Sequence, residues 1–237
     1  MAVFSQPACS QGTSPGPLLT AATAAAQQEY TEALRGNSQL FSGPEYVDYS
    51  LRYHVRNGHP FFLSSEKQAG SIYYNNQNFS SLQLAYDLVL DQVVLQQPGS
   101  PLMLRFIDEH VRSFTIGGHR FTRLVADSTT GKALRTGYYE VLLDSPVQVL
   151  ARHTKRLQEH LVQPYVNVEF TATDNLFIQK AGRYYPVASK SSVTRLFADH
   201  SKEVQKYIQE HGLKFSKARR EADIVALAAY YGSLPPL

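Results

Sequence analysis

The feature that most constrains this chain is a long series of short apolar segments, which begins near Tyr46 and is broken by turn residues about every ten positions. Between Leu82 and Leu88 every second residue is large and apolar, so these side chains share one face of a strand. Asn75-Asn76 and Gly117-Gly118 separate neighbouring segments and suit the tight turns of hairpins. This pattern predicts a β-rich domain.

Consecutive apolar segments are joined by short turns, which favours antiparallel pairing of neighbours. Beside 82–88, the predicted strands are 70–74, 92–95, 102–107, 111–116, 119–125, 138–143, 147–153, 166–171, 177–180 and 183–187. The predicted fold class is α+β and β-dominant. It is an antiparallel β-meander that forms a curved sheet or open barrel, with short C-terminal helices packed on it.

After Ser189 the apolar spacing changes from two residues to about 3.6, which predicts a helical segment over 190–232. Helices of this length are marginal in water on their own, so we expect their apolar stripes to pack on the sheet. The segment offers candidate ends for its helices, namely the N-caps Asp199 and Ser216 and the terminating glycines Gly212 and Gly232.

The first part of the chain has a different composition. Residues 1–17 are rich in Ser, Gln, Pro and Gly and are predicted to be a flexible tail, so residues 18–237 form the single predicted domain. Residues 19–35 are Ala-rich and end at Gly36-Asn37, which predicts a short helix. Because no Lys or Arg precedes this stretch, it is a poor match to an export signal.

Composition excludes several classes of protein. The net charge is only +3 and the basic residues are spread along the chain, whereas nucleic-acid binders concentrate positive charge, so no nucleic-acid partner is expected. No run of 18 apolar residues occurs, so no transmembrane helix is expected. The single cysteine, Cys9, cannot form an intramolecular disulfide or a cysteine-based metal site.

Asp87 and Asp91 are the most prominent candidates for catalytic carboxylates. On a straight strand they would lie on one face about 13 Å apart, too far for joint acid–base work on one bond. A turn between them would bring them closer, although turns also favour Asp for structural reasons. His119 follows the Gly-Gly turn and is predicted to begin a strand.

No motif for a metal or a cofactor stands out. The histidine spacings match no zinc signature, and neither a phosphate-binding loop nor a serine-hydrolase elbow occurs. We therefore expect no cofactor, no metal ligands and no assigned catalytic residue.

The string Asn57-Gly58-His59-Pro60-Phe61-Phe62 combines an Asn-Gly turn, a fixed proline backbone and two aromatic side chains. It has two interpretations. His59, Phe61 and Phe62 could form a surface on which a ligand stacks, or the aromatic rings could plug one end of the sheet.

Several short motifs follow one another between residues 40 and 234. They are Gly58-His59-Pro60-Phe61-Phe62, Gly70-x-Ile72-x-Tyr74, Leu84-x-Tyr86-Asp87, Phe114-x-Ile116-x-Gly118, Phe121, Gly137-Tyr138-Tyr139-Glu140-Val141-Leu142, Ser189-Lys190, Leu196-Phe197-Ala198-Asp199, Tyr207-Ile208 and Tyr230-Tyr231. In this order they resemble an uncharacterised family of exported envelope proteins of Bacteroidetes. The resemblance implies a periplasmic or otherwise exported location. It implies no activity and no functional residues.

The sequence therefore predicts a non-enzymatic cell-envelope protein that binds a ligand or partner through its sheet or aromatic surface, since catalytic motifs are missing while Tyr (15) and Phe (12) are numerous. The partner would be another envelope protein or an apolar ligand. One alternative is a hydrolase-like enzyme with dispersed Asp and His residues, for which Asp87, Asp91 and His119 should converge on one point. The other is a lipid carrier with a cavity inside a curved sheet.

Overall fold

The computed structural model describes residues 38–126 and 133–235 of the protein, and the chain divides into two units, 1–42 and 43–237. In the first unit, Ser38–Phe41 form a 3₁₀ turn. The predicted tail over 1–17 and the predicted helix over 19–35 lie outside the described residues. Among the helices that are described, none has the length and apolar character needed to cross a membrane.

The second unit is built on one sheet of eleven strands. The strands are β1 (Val55–Asn57), β2 (Gln68–Tyr74), β3 (Gln77–Asp87), β4 (Gln92–Gln96), β5 (Met103–Arg105), β6 (Val111–Ile116), β7 (His119–Leu124), β8 (Gly137–Leu143), β9 (Gln148–Val162), β10 (Tyr165–Lys180) and β11 (Arg183–Val187). Their order is β1-β10-β9-β8-β7-β6-β2-β3-β4-β5, and β11 also pairs with β10. Only β1 and β10 are parallel, so the β-dominant, antiparallel fold class is confirmed.

The predicted hairpin turns are confirmed by their backbone angles. Asn75 and Asn76 have φ values of 48° and 61°, and they join β2 to β3. Gly117 and Gly118 have φ values of 56° and 85° between β6 and β7. Only Gly, and to a lesser degree Asn, adopts positive φ at small steric cost, which explains why these residue types set the turns.

Two features depart from the predicted meander. The strand β6 pairs with β2 rather than with its predecessor β5. The strands β9 and β10 are also much longer than predicted, because one continuous ladder runs from the Tyr165–Val162 pair to the Gln179–Gln148 pair. Residues 171–175 are all exposed. Without a covered face, no apolar alternation marks this stretch as strand in the sequence.

The sheet curls strongly. Strands β3 and β8 are four positions apart in the sheet, a separation of about 19 Å if the sheet were flat. Nevertheless the rings of Tyr86 on β3 and Tyr138 on β8 lie only 5.8 Å apart. Phe114 and Phe121 fill the space beside them, stacked on each other at 4.8 Å. All four rings are buried, so an aromatic cluster occupies the interior of the curl.

Lys155 on β9 closes the curl. Its backbone N–H donates to the carbonyl oxygen of Leu88, in the turn after β3, at 3.0 Å. Its side-chain Nζ donates to the carbonyl oxygens of His59 and Phe61 at 2.8 and 2.7 Å. One residue therefore ties β9, the turn after β3 and the segment before β2 together.

The C-terminal segment forms three helices, α1 (Lys190–Leu196), α2 (Ser201–Glu210) and α3 (Arg220–Ser233), as the spacing predicts. They pack on the sheet in one apolar core. Its buried members are Val147, Val149, Ala151, Leu176, Ile178, Val187, Val193, Phe197, Val204, Ile208, Ile224, Leu227 and Ala228.

The predicted N-caps are wrong. The helices α2 and α3 begin after His200 and Arg219, with no side-chain cap. Asp199 instead accepts hydrogen bonds from Lys180 Nζ at 2.7 Å and from the Tyr231 hydroxyl at 2.6 Å. These tertiary partners, which a local pattern does not contain, compete for its carboxylate.

Leu227 tests the packing of the helices on the sheet. It is fully buried in the helix–sheet core. We expect Leu227→Ala to lower the free energy of unfolding by about 2–5 kcal/mol, because it leaves a cavity between α3 and the sheet. Leu161→Ala, at an exposed position, is the control and should change it by less than about 0.5 kcal/mol. Chemical denaturation measures both, and equal effects would contradict the packing described above.

Candidate functional site

Asp87, the first candidate carboxylate, organises the turn between β3 and β4. Its Oδ1 accepts hydrogen bonds from the backbone N–H groups of Val89 and Leu90 at 2.8 and 3.0 Å. The hydroxyls of Tyr46 and Tyr49 donate to the same carboxylate at 2.8 and 3.3 Å. Burial raises the pKa of Asp87, although these bonds oppose the rise. Asp87 therefore stabilises the turn through its side-chain hydrogen bonds, as Asp commonly does in turns.

Asp91, the second candidate, ends the same turn with a φ of 57°. Its Oδ1 accepts a hydrogen bond from the Tyr86 hydroxyl at 2.6 Å, and its Oδ2 lies 3.3 Å from a terminal nitrogen of Arg152. Gly137 makes room for this ion pair, because a Cβ at that position would collide with both side chains.

His119, the third candidate, begins β7 as predicted and belongs to a partly buried network of acidic and histidine side chains. Its Nδ1 lies 2.5 Å from Oε1 of Glu140, and the other carboxylate oxygen of Glu140 lies 2.7 Å from Nε2 of His153. Nδ1 of His153 lies 2.7 Å from Asp174. The network therefore runs Asp174–His153–Glu140–His119 across four neighbouring strands.

Strand register brings these four residues together. Asp174 is the direct cross-strand partner of His153. Glu140 lies opposite Phe121 on β7 and Ala151 on β9. His119 and His153 are two residues away from those partners, so all face the same side of the sheet and the diagonal pairs are within reach.

His153 is held as an imidazolium. An ionised carboxylate only accepts hydrogen bonds, so both ring nitrogens that face Glu140 and Asp174 must carry protons. Burial alone would lower the pKa of His153, but the hydrogen bonds and charges of the two carboxylates outweigh it and raise the pKa to about 9. The pKa of Glu140 is lowered because its bonds to both histidines outweigh the effect of burial.

Helix α3 contacts the outer end of the network, where the Asp174 side chain is about half exposed. Arg220 donates to the backbone carbonyl of Asp174 at 3.0 Å. The pKa of the neighbouring Glu221 is raised, first by burial and then by the negative charge of Glu140. The network therefore couples the sheet electrostatically to the first turn of α3.

The aromatic string before β2 packs into the interior. The ring of Phe62 lies 5.2 Å from the rings of both His119 and His153. Phe61 is also buried, and it bridges to Asp87 through a backbone pair. Phe61 and Phe62 therefore plug the curled sheet in this structure. His59 is half-buried, and burial together with the charge of Lys155 lowers its pKa.

Asp87, Asp91 and His119 do not share a site. Across the described parts of the chain, no hydrogen bond joins any two of them, and each has its own partners. No cluster of His, Cys, Asp and Glu within residues 38–126 and 133–235 could hold a metal ion. In the Glu140 network, carboxylates already occupy both ring nitrogens of His153.

The β9–β10 hairpin carries a second candidate site at its free end. Four of the ten large apolar side chains that are exposed in the described residues lie there, at Val55 (52% exposed), Leu161 (74%), Tyr165 (51%) and Val166 (36%). We call these four residues the hairpin surface. Leu161 and Val166 are cross-strand partners on one face of the ribbon, whereas Val55 and Tyr165 lie on the other.

Polar groups surround the hairpin surface. Arg52 lies 3.4 Å from Glu159, which also accepts a hydrogen bond from the Tyr53 hydroxyl. His160 lies 3.8 Å from Glu169 on the neighbouring strand. His54 packs edge-on against Tyr165 with 4.8 Å between ring centroids. The hairpin end thus has an apolar centre and a polar rim.

This chain matches no known family model, no curated protein and no solved structure. Its function must therefore be argued from the sites themselves.

Glu140, His153 and Asp174 are not apparent as site residues in the sequence. One signal was present, because Glu140 interrupts the otherwise apolar run from Tyr138 to Leu143 in a predicted strand. A charged side chain in such a strand needs a buried partner. Finding that partner requires the register of β8 against β7 and β9, which the sequence alone does not contain.

The ion-paired His153 predicts how stability depends on pH. Its raised pKa stabilises the folded protein fully below its ordinary pKa of 6.5, and this contribution is lost as the pH rises through about 9. We expect the stability advantage of the wild type over His153→Gln to fall by up to about 3 kcal/mol between pH values near 6 and near 9.5. Urea denaturation measures it, and an advantage that stays constant over this range would show that His153 is not ion-paired.

Proposed function

We propose that the protein is a non-enzymatic binding protein of the cell envelope, and that its hairpin surface inserts into an apolar groove of another protein. The observation that carries the proposal is the exposure of Val55, Leu161, Tyr165 and Val166 at the turn end of the β9–β10 hairpin. Apolar side chains exposed together on a soluble domain commonly mark an interaction site.

The arrangement of the hairpin surface favours a groove over a flat partner. Because Leu161 and Val166 face one side of the ribbon while Val55 and Tyr165 face the other, a flat surface would cover only one pair. Full burial of a large aliphatic side chain contributes about 1.5–3 kcal/mol. Enclosing both faces therefore gains about twice as much as covering one.

The charges at the rim favour a protein over a lipid surface. Glu159 and Glu169 sit beside the apolar centre, and each is paired with a basic side chain, Arg52 and His160 respectively. Because these carboxylates balance the nearby basic groups, the rim has no surplus of positive charge that would attract anionic lipid headgroups. An apolar centre inside a polar rim is the usual anatomy of a protein–protein interface.

Two other functions have less support. A hydrolase would need Asp87, Asp91 and His119 at one point, but these residues have separate partners. A lipid carrier would need space inside the curl, where the buried rings of Tyr86, Phe114, Phe121 and Tyr138 contact one another instead.

A photo-crosslinking residue placed at Tyr165 tests the partner directly. In the cells that naturally produce the protein, we expect irradiation to join it to one discrete protein, which mass spectrometry then identifies. The adduct should disappear when Leu161 and Val166 are both changed to Ser, because the apolar contact is lost. These exposed positions should tolerate Ser with less than about 0.5 kcal/mol change in folding stability.

Tyr185, an exposed tyrosine on β11, is the matched control position for the probe. No adduct from position 165, or the same adduct from both positions, would contradict a specific hairpin partner. Crosslinking of position 165 to lipid alone would replace the protein partner with a membrane.

The envelope location in this proposal rests on the sequence resemblance to exported proteins. We expect cell fractionation of the native host to place the protein with the envelope fraction. Cytoplasmic and periplasmic marker proteins serve as controls. Recovery of the protein solely with the cytoplasmic marker would contradict the envelope location. The proposed binding by the hairpin surface would then be tested by the crosslinking experiment alone.

A further inference from the structure

A cavity of about 390 Å³ opens on the side of β8–β10 that faces away from the Glu140 network. It is lined by Ala133, Arg135, Tyr139, Arg152, Thr154, Asn175 and Phe177. Adjacent residues of a strand point to opposite faces, so Arg152 enters this cavity while His153 enters the network. Among the described residues that line it, none is acidic and two are arginines. We propose that this cavity binds a small organic oxyanion, a carboxylate or a phosphate, between Arg135 and Arg152.

Arg152 is built into the wall of the cavity. Its side chain is only 17% exposed, and its guanidinium lies over the ring of Tyr139, 5.5 Å from the centroid. It reaches the Tyr139 hydroxyl at 3.4 Å, the Thr136 carbonyl at 3.4 Å and Asp91 at 3.3 Å. All three distances exceed the usual 2.7–3.2 Å of an N–H···O bond, so the guanidinium, although it is ion-paired with Asp91, has no short contact and can donate to a further oxyanion.

Arg135 supplies the second positive charge. Its backbone is fixed by Tyr139, whose hydroxyl donates to the Arg135 carbonyl at 2.7 Å and accepts from its N–H at 3.1 Å. Within the described residues, no carboxylate accepts a hydrogen bond from its guanidinium. Asp91 offsets part of the charge of Arg152, and the charge of Arg135 adds to the attraction of the described lining for an anion.

A neutral donor completes the lining. The Asn175 amide lies beside Arg152 and can donate to an oxyanion, whereas the Thr154 hydroxyl already donates to the Thr173 carbonyl at 3.2 Å. The buried rings of Tyr139 and Phe177, 5.7 Å apart, form its apolar floor. Guanidinium groups bind carboxylate and phosphate oxygens with two parallel N–H donors, which makes these anions the chemical class that fits.

Titration with phenyl phosphate, benzoate and inorganic phosphate, each followed by the backbone amide signals of Thr154 and Asn175, tests the proposal. We expect saturable shifts at low ionic strength with at least one of the three anions. A response to phenyl phosphate and inorganic phosphate assigns the ligand to phosphates, and a response to benzoate assigns it to carboxylates. Arg135→Gln should weaken binding about tenfold or more, because it removes a charge-assisted donor pair.

Arg183→Gln, an exposed arginine on β11, is the matched control and should bind as the wild type does. Arg135 is exposed, so its variant should fold, which a circular-dichroism spectrum checks. Three results would overturn the proposal. They are equal shifts with potassium chloride, equal weakening by Arg183→Gln, and no saturable shift up to about 10 mM, a concentration that detects millimolar dissociation constants.

Discussion

The curl of the sheet is the constraint on which the rest of the structure depends, and Lys155 holds it. Its backbone N–H donates to the Leu88 carbonyl in the turn after β3, and its ammonium group donates to the His59 and Phe61 carbonyls. Burial lowers the pKa of Lys155, with the charge of Asp87 opposing this shift. Because the segment before β2 is fixed in this way, Phe62 is placed between His119 and His153.

The alternation of side chains along β8, β9 and β10 then separates two kinds of chemistry. One face carries Glu140, His153 and Asp174 beneath helix α3, while the opposite face carries Tyr139 and Arg152. The first set is internally paired and serves the packing of sheet and helix. The second set lines the cavity that we propose binds an anion. Past these two sets of side chains, the β9–β10 ribbon continues to its turn, where the apolar side chains of the hairpin surface are exposed.

Much of the fold could be predicted because local signals agree with it. The Asn75-Asn76 and Gly117-Gly118 turns are dictated by residues that tolerate positive φ, and the helical end follows from a change of periodicity. The full length of β9 and β10 could not be predicted, because residues 171–175 are exposed and have no apolar alternation. The Glu140 network could not be predicted either, since it depends on register across four strands.

Amide hydrogen exchange at Lys155 tests the curl most directly, with Leu157 as an internal control. Both N–H groups point away from β10, but only that of Lys155 has a backbone acceptor among the described residues, the Leu88 carbonyl at 3.0 Å. We expect the Lys155 amide to exchange about a thousandfold or more slowly than the Leu157 amide, because a hydrogen bond in the core protects it. Equal exchange at the two positions would show that β9 does not meet the turn after β3, and that the sheet is not curled as described.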